Sequence, residues 1–249
     1  MRTVELICMA NFYKHRGRCI VGLRANTFRW VRLVNPAHIT GALESPRYNE
    51  GQNDEPLPLD LVRVQLARPL PDPHQPENWA LGQEHLELLC RPAPGHLLQK
   101  LFGLQPENST LLGNYGDRVS YSRFARESGG ASLALVAPEH PRWKIVENGK
   151  RRPQLWLQFQ WRGAAYELFV ADPRWRNYLL DNYPLGVYRI RGRGAYFFSR
   201  LLLAVSLGDP LHGYCHKSVS GVLWVPSFQE SAGPGKQNFF VERLVGLEG

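Results

Sequence analysis

Cysteine is scarce in this chain, and what there is forms no recognisable site. Cys8, Cys19, Cys90 and Cys215 are widely separated among 249 residues, and none sits in a CxxC pair. That excludes the usual zinc ribbon and the thioredoxin-type redox motif and leaves reduced, buried thiols as the expectation. His212, Cys215 and His216 could supply metal ligands, but a structural zinc takes four and the sequence singles out no other. The reading is therefore of a protein without metal or other cofactor. Long apolar runs are also missing. The longest, Phe197 to Leu207, is broken by Ser199, Arg200 and Ser206 and falls short of the roughly 20 residues that cross a bilayer. Met1 to Asn11 lack the basic, apolar and small-residue regions of a secretory signal, so the expected location is the cytoplasm, with no membrane partner. No GxSxG elbow, HExxH helix or Walker loop is present. The segment Gly233 to Gln237 lacks the glycine spacing and the Ser or Thr after Lys236 that a phosphate-binding loop needs. On these grounds no catalytic residue is assigned.

Negative charge is in short supply as well. The 22 Asp and Glu face 30 Lys and Arg, giving a formal net charge of +8, a balance that favours polyanionic partners. Residues 1–36 carry Arg2, Lys14, Arg16, Arg18, Arg24, Arg29 and Arg32 against Glu5 alone. Residues 44–60 are the reverse, with Glu44, Glu50, Asp54, Glu55 and Asp60 against Arg47, so that loop is expected to lie away from a phosphate backbone.

What remains is rich in short β-type segments. Residues 3–10, 17–24 and 28–34 read as three consecutive strands, with Cys19, Val21 and Leu23 on a core face and Arg18 and Arg24 carried toward solvent. Further strands are expected at 59–67 and 85–90, and a short helix at 94–104, where Leu97, Leu98, Leu101 and Leu104 recur at helical spacing. Ser128, Gly129 and Gly130 suggest a boundary, dividing the chain into domains of 1–127 and 128–249. The second half repeats the grammar, with strands at 131–137, 142–147, 154–161, 164–171, 195–206 and 215–225 and a helix at 173–182. The fold class is mainly β with a few short helices, read as two small, five-stranded, partly open barrels, which composition alone does not separate from a sandwich.

Several of these segments carry a resemblance. The stretch ICMANFYKHRGRCIVGL at 7–23, FRWVRLV at 28–34, GAL at 41–43, HQPENW at 74–79 and SLGDPLHGYCHKSV at 206–219 together resemble the bacterial dual OB-containing domain family. The resemblance implies paired OB-folds over nearly the whole chain. It also implies a binding module for nucleic acid, associated with prokaryotic defence or mobile-element contexts, more than an enzyme.

The candidate binding residues sit mostly in the first meander. Lys14, Arg16, Arg18, Arg24, Arg29 and Arg32 lie beside Phe12, Tyr13, Phe28 and Trp30, a mixture in which cations track phosphates and rings stack bases. OB-folds commonly bind on the face around strands 2 and 3. A second basic stretch, Arg189, Arg191 and Arg193, is interleaved with glycines, and a third, Asn148 to Arg152, reads as a hairpin tip with Asn-Gly supplying positive φ. HQPENW gathers His74, Glu77 and Asn78, which could form an alternative pocket for nucleotide chemistry in an interdomain cleft, or a structural corner with Trp79 buried. A protein-interaction subunit of a larger complex is the remaining alternative, its basic surface docking an acidic partner. The nucleic-acid type is left open between single-stranded or structured RNA and DNA.

Overall fold

Side-chain alternation along the strands decides the architecture. The structure is a computed structural model that describes residues 1–44, 55–82, 86–122, 130–192, 200–225 and 239–244. β1 (Arg2–Lys14), β2 (Gly17–Arg24) and β3 (Trp30–Val34) form the expected antiparallel meander. β3 then pairs in parallel with β5 (Asn78–Leu81), β5 pairs with β4 (Leu61–Pro69), and β4 returns to β1. The result is a closed five-stranded barrel in the order β1-β2-β3-β5-β4, with β6 (Glu87–Cys90) added to β4. Leu6, Cys8, Ile20, Val31, Leu33, Val62, Val64 and Leu66 fill its interior.

After a short helix, α1 (Gly95–Lys100), the chain builds a second sheet. Its elements are β7 (Arg118–Ser120), β8 (Leu133–Val136), β9 (Glu139–Glu147), β10 (Pro153–Trp161), β11 (Ala164–Val170), α2 (Pro173–Asn182), β12 (Gly186–Gly192), β13 (Arg200–Leu211), β14 (Tyr214–Val225) and β15 (Phe239–Leu244). The hydrogen-bonded path runs β9-β10-β11-β14-β13-β8, again with one parallel pair, β11 with β14. β12 and β15 extend this path beyond β9, and only Ala137 and Pro138 separate β9 along the chain from β8 at the path's other end. α2 begins where Asp172 caps it: Oδ1 accepts from the Arg174 and Trp175 amides at 3.0 and 3.2 Å, while Oδ2 accepts from Val222 of β14 at 2.9 Å. Burial raises the pKa of this carboxyl, and the three amides oppose that rise.

The two halves are joined by a third core. One residue out of phase with the first barrel's interior, Ile7, Met9, Cys19, Val21 and Leu23 point outward and pack against Leu133, Leu135, Leu202, Ala204, Leu223 and Val225 of the second sheet. This corrects the one-sided reading of β2, whose two faces are both buried. The alternation that was legible as core against solvent is core against core, because a second barrel replaces the solvent. Backbones meet at one point of this seam: a Cβ at Gly221 of β14 would lie 2.0 Å from the Met9 carbonyl oxygen.

Other expectations are refined. Three cysteines are buried and free as expected, but Cys90 is exposed. At the 148–152 tip the positive φ is at Arg151, not at the Asn-Gly pair, and Asn148 Oδ1 accepts from the Lys150 and Arg152 amides. The expected boundary at 127 and 128 falls outside the described residues, and β7, before it, already pairs with β14. Arg189 and Arg191 lie in β12, whose register pairs it with β15 and β9, so the expected glycine-rich turn is regular strand through Gly192. The Lys217 ammonium is buried, donates to Asn114 O, Asn114 Oδ1 and Gly116 O at 2.7–2.8 Å, and is pushed by burial down to about 8, with Asp117 opposing.

Gly221→Ala is expected to destabilise the protein by about 1–3 kcal/mol or more through overpacking of the seam, whereas Gly149→Ala, which meets nothing within 4 Å, should be close to neutral. Urea unfolding of both variants checks this.

Candidate nucleic-acid interface

The basic residues of the first meander divide into three groups with different fates. The first group lies at the β1–β2 hairpin. Lys14 Nζ is 3.0 Å from Asp209 Oδ1 in the β13–β14 hairpin, and His15 Nε2 is 3.7 Å from the other oxygen. Arg18 stacks on Tyr13, 4.0 Å from the ring centroid, and pairs with Glu55. These charges already have carboxylate partners. Arg16, at the tip, is exposed.

Asp209 also draws in the HQPENW loop. Gln75 Nε2 donates to Asp209 Oδ1 at 3.2 Å, and His74 sets Nδ1 against Asp72 and Nε2 3.7 Å from Asp209. Burial by itself would raise the Asp209 carboxyl, but the contacts with His74 and Lys14 outweigh it and hold the group well below the usual carboxylate range. His74, Glu77 and Asn78 are turned to different partners. Glu77 accepts from the Ser132 amide and hydroxyl, both at 2.7 Å, and Asn78 Nδ2 donates to Gln75 Oε1 at 3.4 Å. The loop therefore joins the two sheets rather than presenting three side chains to one cleft.

The second group is Arg32 alone. It is 1% exposed, and its guanidinium donates to Ser132 Oγ at 3.0 Å and to Cys19 Sγ at 3.5 Å. Ser132 relays this charge to Glu77, so a buried cation and a carboxylate are linked through one hydroxyl at the seam. Arg32 is thus removed from the expected binding surface. Its place in β3 next to Val31 and Leu33 puts it on the outward register, and in this protein outward means against the second sheet.

The third group occupies the opposite end of the first barrel. Arg2, Arg24 and Arg29 fall on the inward register that carries Val4 and Leu6 in β1, Ile20 in β2 and Val31 in β3. They lie beyond the last apolar layer and so ring the barrel mouth. The Arg24 guanidinium sits 4.7 Å over the Trp79 ring, with Nε buried and without a hydrogen-bond partner. Burial first, then the positive charges of Arg2 and Arg29, lower its pKa. Among the described residues no carboxylate pairs with any of the three. Phe28 and Trp30 flank the same turn half-buried, Phe28 with φ 53° and the Lys100 ammonium 5.6 Å over its ring.

In the second sheet, Arg189 is half-buried and Arg191 exposed, while Arg193 lies outside the described residues. Sequence reasoning did not single out Arg2, Asp209 or Ser132 for a role. Arg2 was visible only as part of the charge block, and no local pattern marks the other two, whose roles come from partners 55 to 195 residues away. Among the described residues no group of His, Cys, Asp and Glu is arranged to hold a metal, and no helix is long and apolar enough to cross a membrane.

A family model described as a dual OB-containing domain matches residues 4–222. No curated protein and no solved structure matches the chain.

Ser132→Ala is expected to cost about 1.5–3 kcal/mol, because it unlinks a buried guanidinium from its carboxylate; denaturant unfolding measures it. Asp209 has a folded-state pKa below its unfolded value of about 3.9, so its stabilisation is complete above that value and is lost as the pH falls through the folded one. Asp209→Asn should lower the melting temperature at neutral pH and flatten the acid limb of the stability curve, read by circular dichroism across a pH series.

Proposed function

The chain belongs to the dual OB-containing domain family, and from that premise we propose that it binds single-stranded or structured RNA or DNA at the arginine-rich mouth of its first barrel. OB-fold domains generally bind nucleic acids through cationic grooves and stacking rings. The observation that carries the reading is Arg24, seated over Trp79 and near enough to Arg2 and Arg29 that their charges lower its pKa, with no carboxylate pairing with any of the three among the described residues. Mutual repulsion of this kind is relieved by a polyanion.

Of the residues expected from sequence, Arg24 and Arg29 belong to this surface, while Phe28 and Trp30 beside them pack against the seam core. Arg16, Arg189 and Arg191 extend the positive field. Lys14 and Arg18 contribute less, since Asp209 and Glu55 neutralise them. The setting we propose is a prokaryotic defence or mobile-element system.

Fluorescence anisotropy with labelled single-stranded RNA, single-stranded DNA and duplex DNA over a salt series tests the proposal. Arg24→Ala with Arg29→Ala should weaken binding about tenfold or more and reduce the salt slope by about two. Arg18→Ala should change affinity by less than about threefold, the loss of a long-range charge only. Undiminished binding in the Arg24, Arg29 variant overturns the assignment of the surface, and no binding of any probe by the wild type overturns the function.

A further inference from the structure

The mouth of the first barrel has an adjoining cavity. It measures about 310 Å³ and is lined by Arg2, Thr3, Val4, Glu5, Ala25, Asn26 and Arg63, which is the lower end of the range for small-ligand sites and of the order of one nucleotide. The β2–β3 turn forms one wall, held to β1 by the Ala25 amide donating to the Glu5 carbonyl at 2.9 Å. Arg2 belongs both to this cavity and to the arginine trio. Arg63 is 3.5 Å from Glu5 and 2.8 Å from Glu87, so its charge is matched, whereas among the described residues no carboxylate pairs with Arg2, Arg24 or Arg29.

The distribution of charge indicates what fits. An internal phosphodiester carries one negative charge, whereas a terminal phosphate monoester carries close to two at neutral pH and offers three acceptor oxygens. Three guanidiniums with no carboxylate partner among the described residues, one with a buried and unpartnered Nε, suit the second. The cavity's volume, of the order of one nucleotide, suits one terminal unit better than a strand passing through. Asn26, Thr3 and Glu5 supply both donors and acceptors for the sugar and base.

Resting on the nucleic-acid reading, we infer that this site recognises the phosphorylated end of a single strand, with the terminal phosphate on Arg2, Arg24 and Arg29 beside Trp79 and the terminal nucleoside in the Arg2–Asn26 cavity. Recognition of an end explains why the basic trio is compact and local rather than spread along a track. It also places the specificity in residues that need not contact the rest of the strand.

The test compares an oligothymidylate of one length, labelled internally, with a 5′-phosphate, a 3′-phosphate or hydroxyls at both ends, and uses thymidine monophosphate as competitor. Wild type should bind one phosphorylated form about tenfold more tightly than the hydroxyl-ended form. An Arg2→Ala, Arg29→Ala variant, altered only at exposed side chains, should reduce that ratio to about one. Asn26→Ala, which loses a cavity contact to the terminal nucleoside, should weaken binding of the preferred phosphorylated strand severalfold. Equal binding of all three oligonucleotides overturns the end-recognition inference and leaves the nucleic-acid reading standing. Failure of all three to bind removes both. Thymidine monophosphate binding as tightly as the phosphorylated strand overturns the strand-end assignment in favour of a free nucleotide.

Discussion

The apolar seam between the two barrels is the constraint on which the rest depends. Its first consequence is geometric: β1 of one barrel and β14 of the other approach so closely that Gly221 faces the Met9 carbonyl with no room for a Cβ. Its second is functional. The outward face of β2 and β3, where an OB-fold ordinarily receives its ligand, is occupied in the first barrel by Leu202, Ala204, Leu223 and Val225. The loops that would flank such a ligand, at His15 and at His74, are bound to Asp209 of the second sheet. We therefore place the binding surface at the far end of this barrel, at the mouth where, among the described residues, no carboxylate pairs with Arg2, Arg24 or Arg29.

Charge in this protein is arranged accordingly. Near the seam, cations are matched: Lys14 with Asp209, Arg18 with Glu55, Arg91 with the buried Asp60, and Arg32 with Glu77 through Ser132. A buried charge without such a partner would cost several kcal/mol, so the matching follows from the burial. At the mouth that requirement lapses, because Arg2 and Arg29 are exposed to solvent. An uncompensated cluster can persist there at modest cost, and it is there that an anion gains most by binding.

Much of the fold was legible in the sequence, because period-2 alternation and turn residues are local signals. The boundaries of β2 and α2 coincide with the expected ones. β5, β7, β12 and β15 were not marked. β5 is four residues long and begins inside HQPENW, β7 is three, and β12 reads as a glycine-flanked basic turn until its partners are known. The candidate site was legible in composition but not in detail. Arg24 and Arg29 are the members of it that we place at the barrel mouth, while Phe28 and Trp30 pack against the seam core, and nothing in the sequence distinguished Arg29, exposed, from Arg32, buried three residues later. That difference depends on a sheet more than 100 residues away.

The most direct measurement is hydrogen–deuterium exchange of the protein with and without a saturating single-stranded oligonucleotide. Slowed exchange confined to residues 2–5 and 24–30, with β10 and β11 unchanged, is the result expected if the barrel mouth receives the strand. Protection of β10 and β11 with residues 24–30 unaffected would contradict it, and would move the binding surface to the open face of the second sheet.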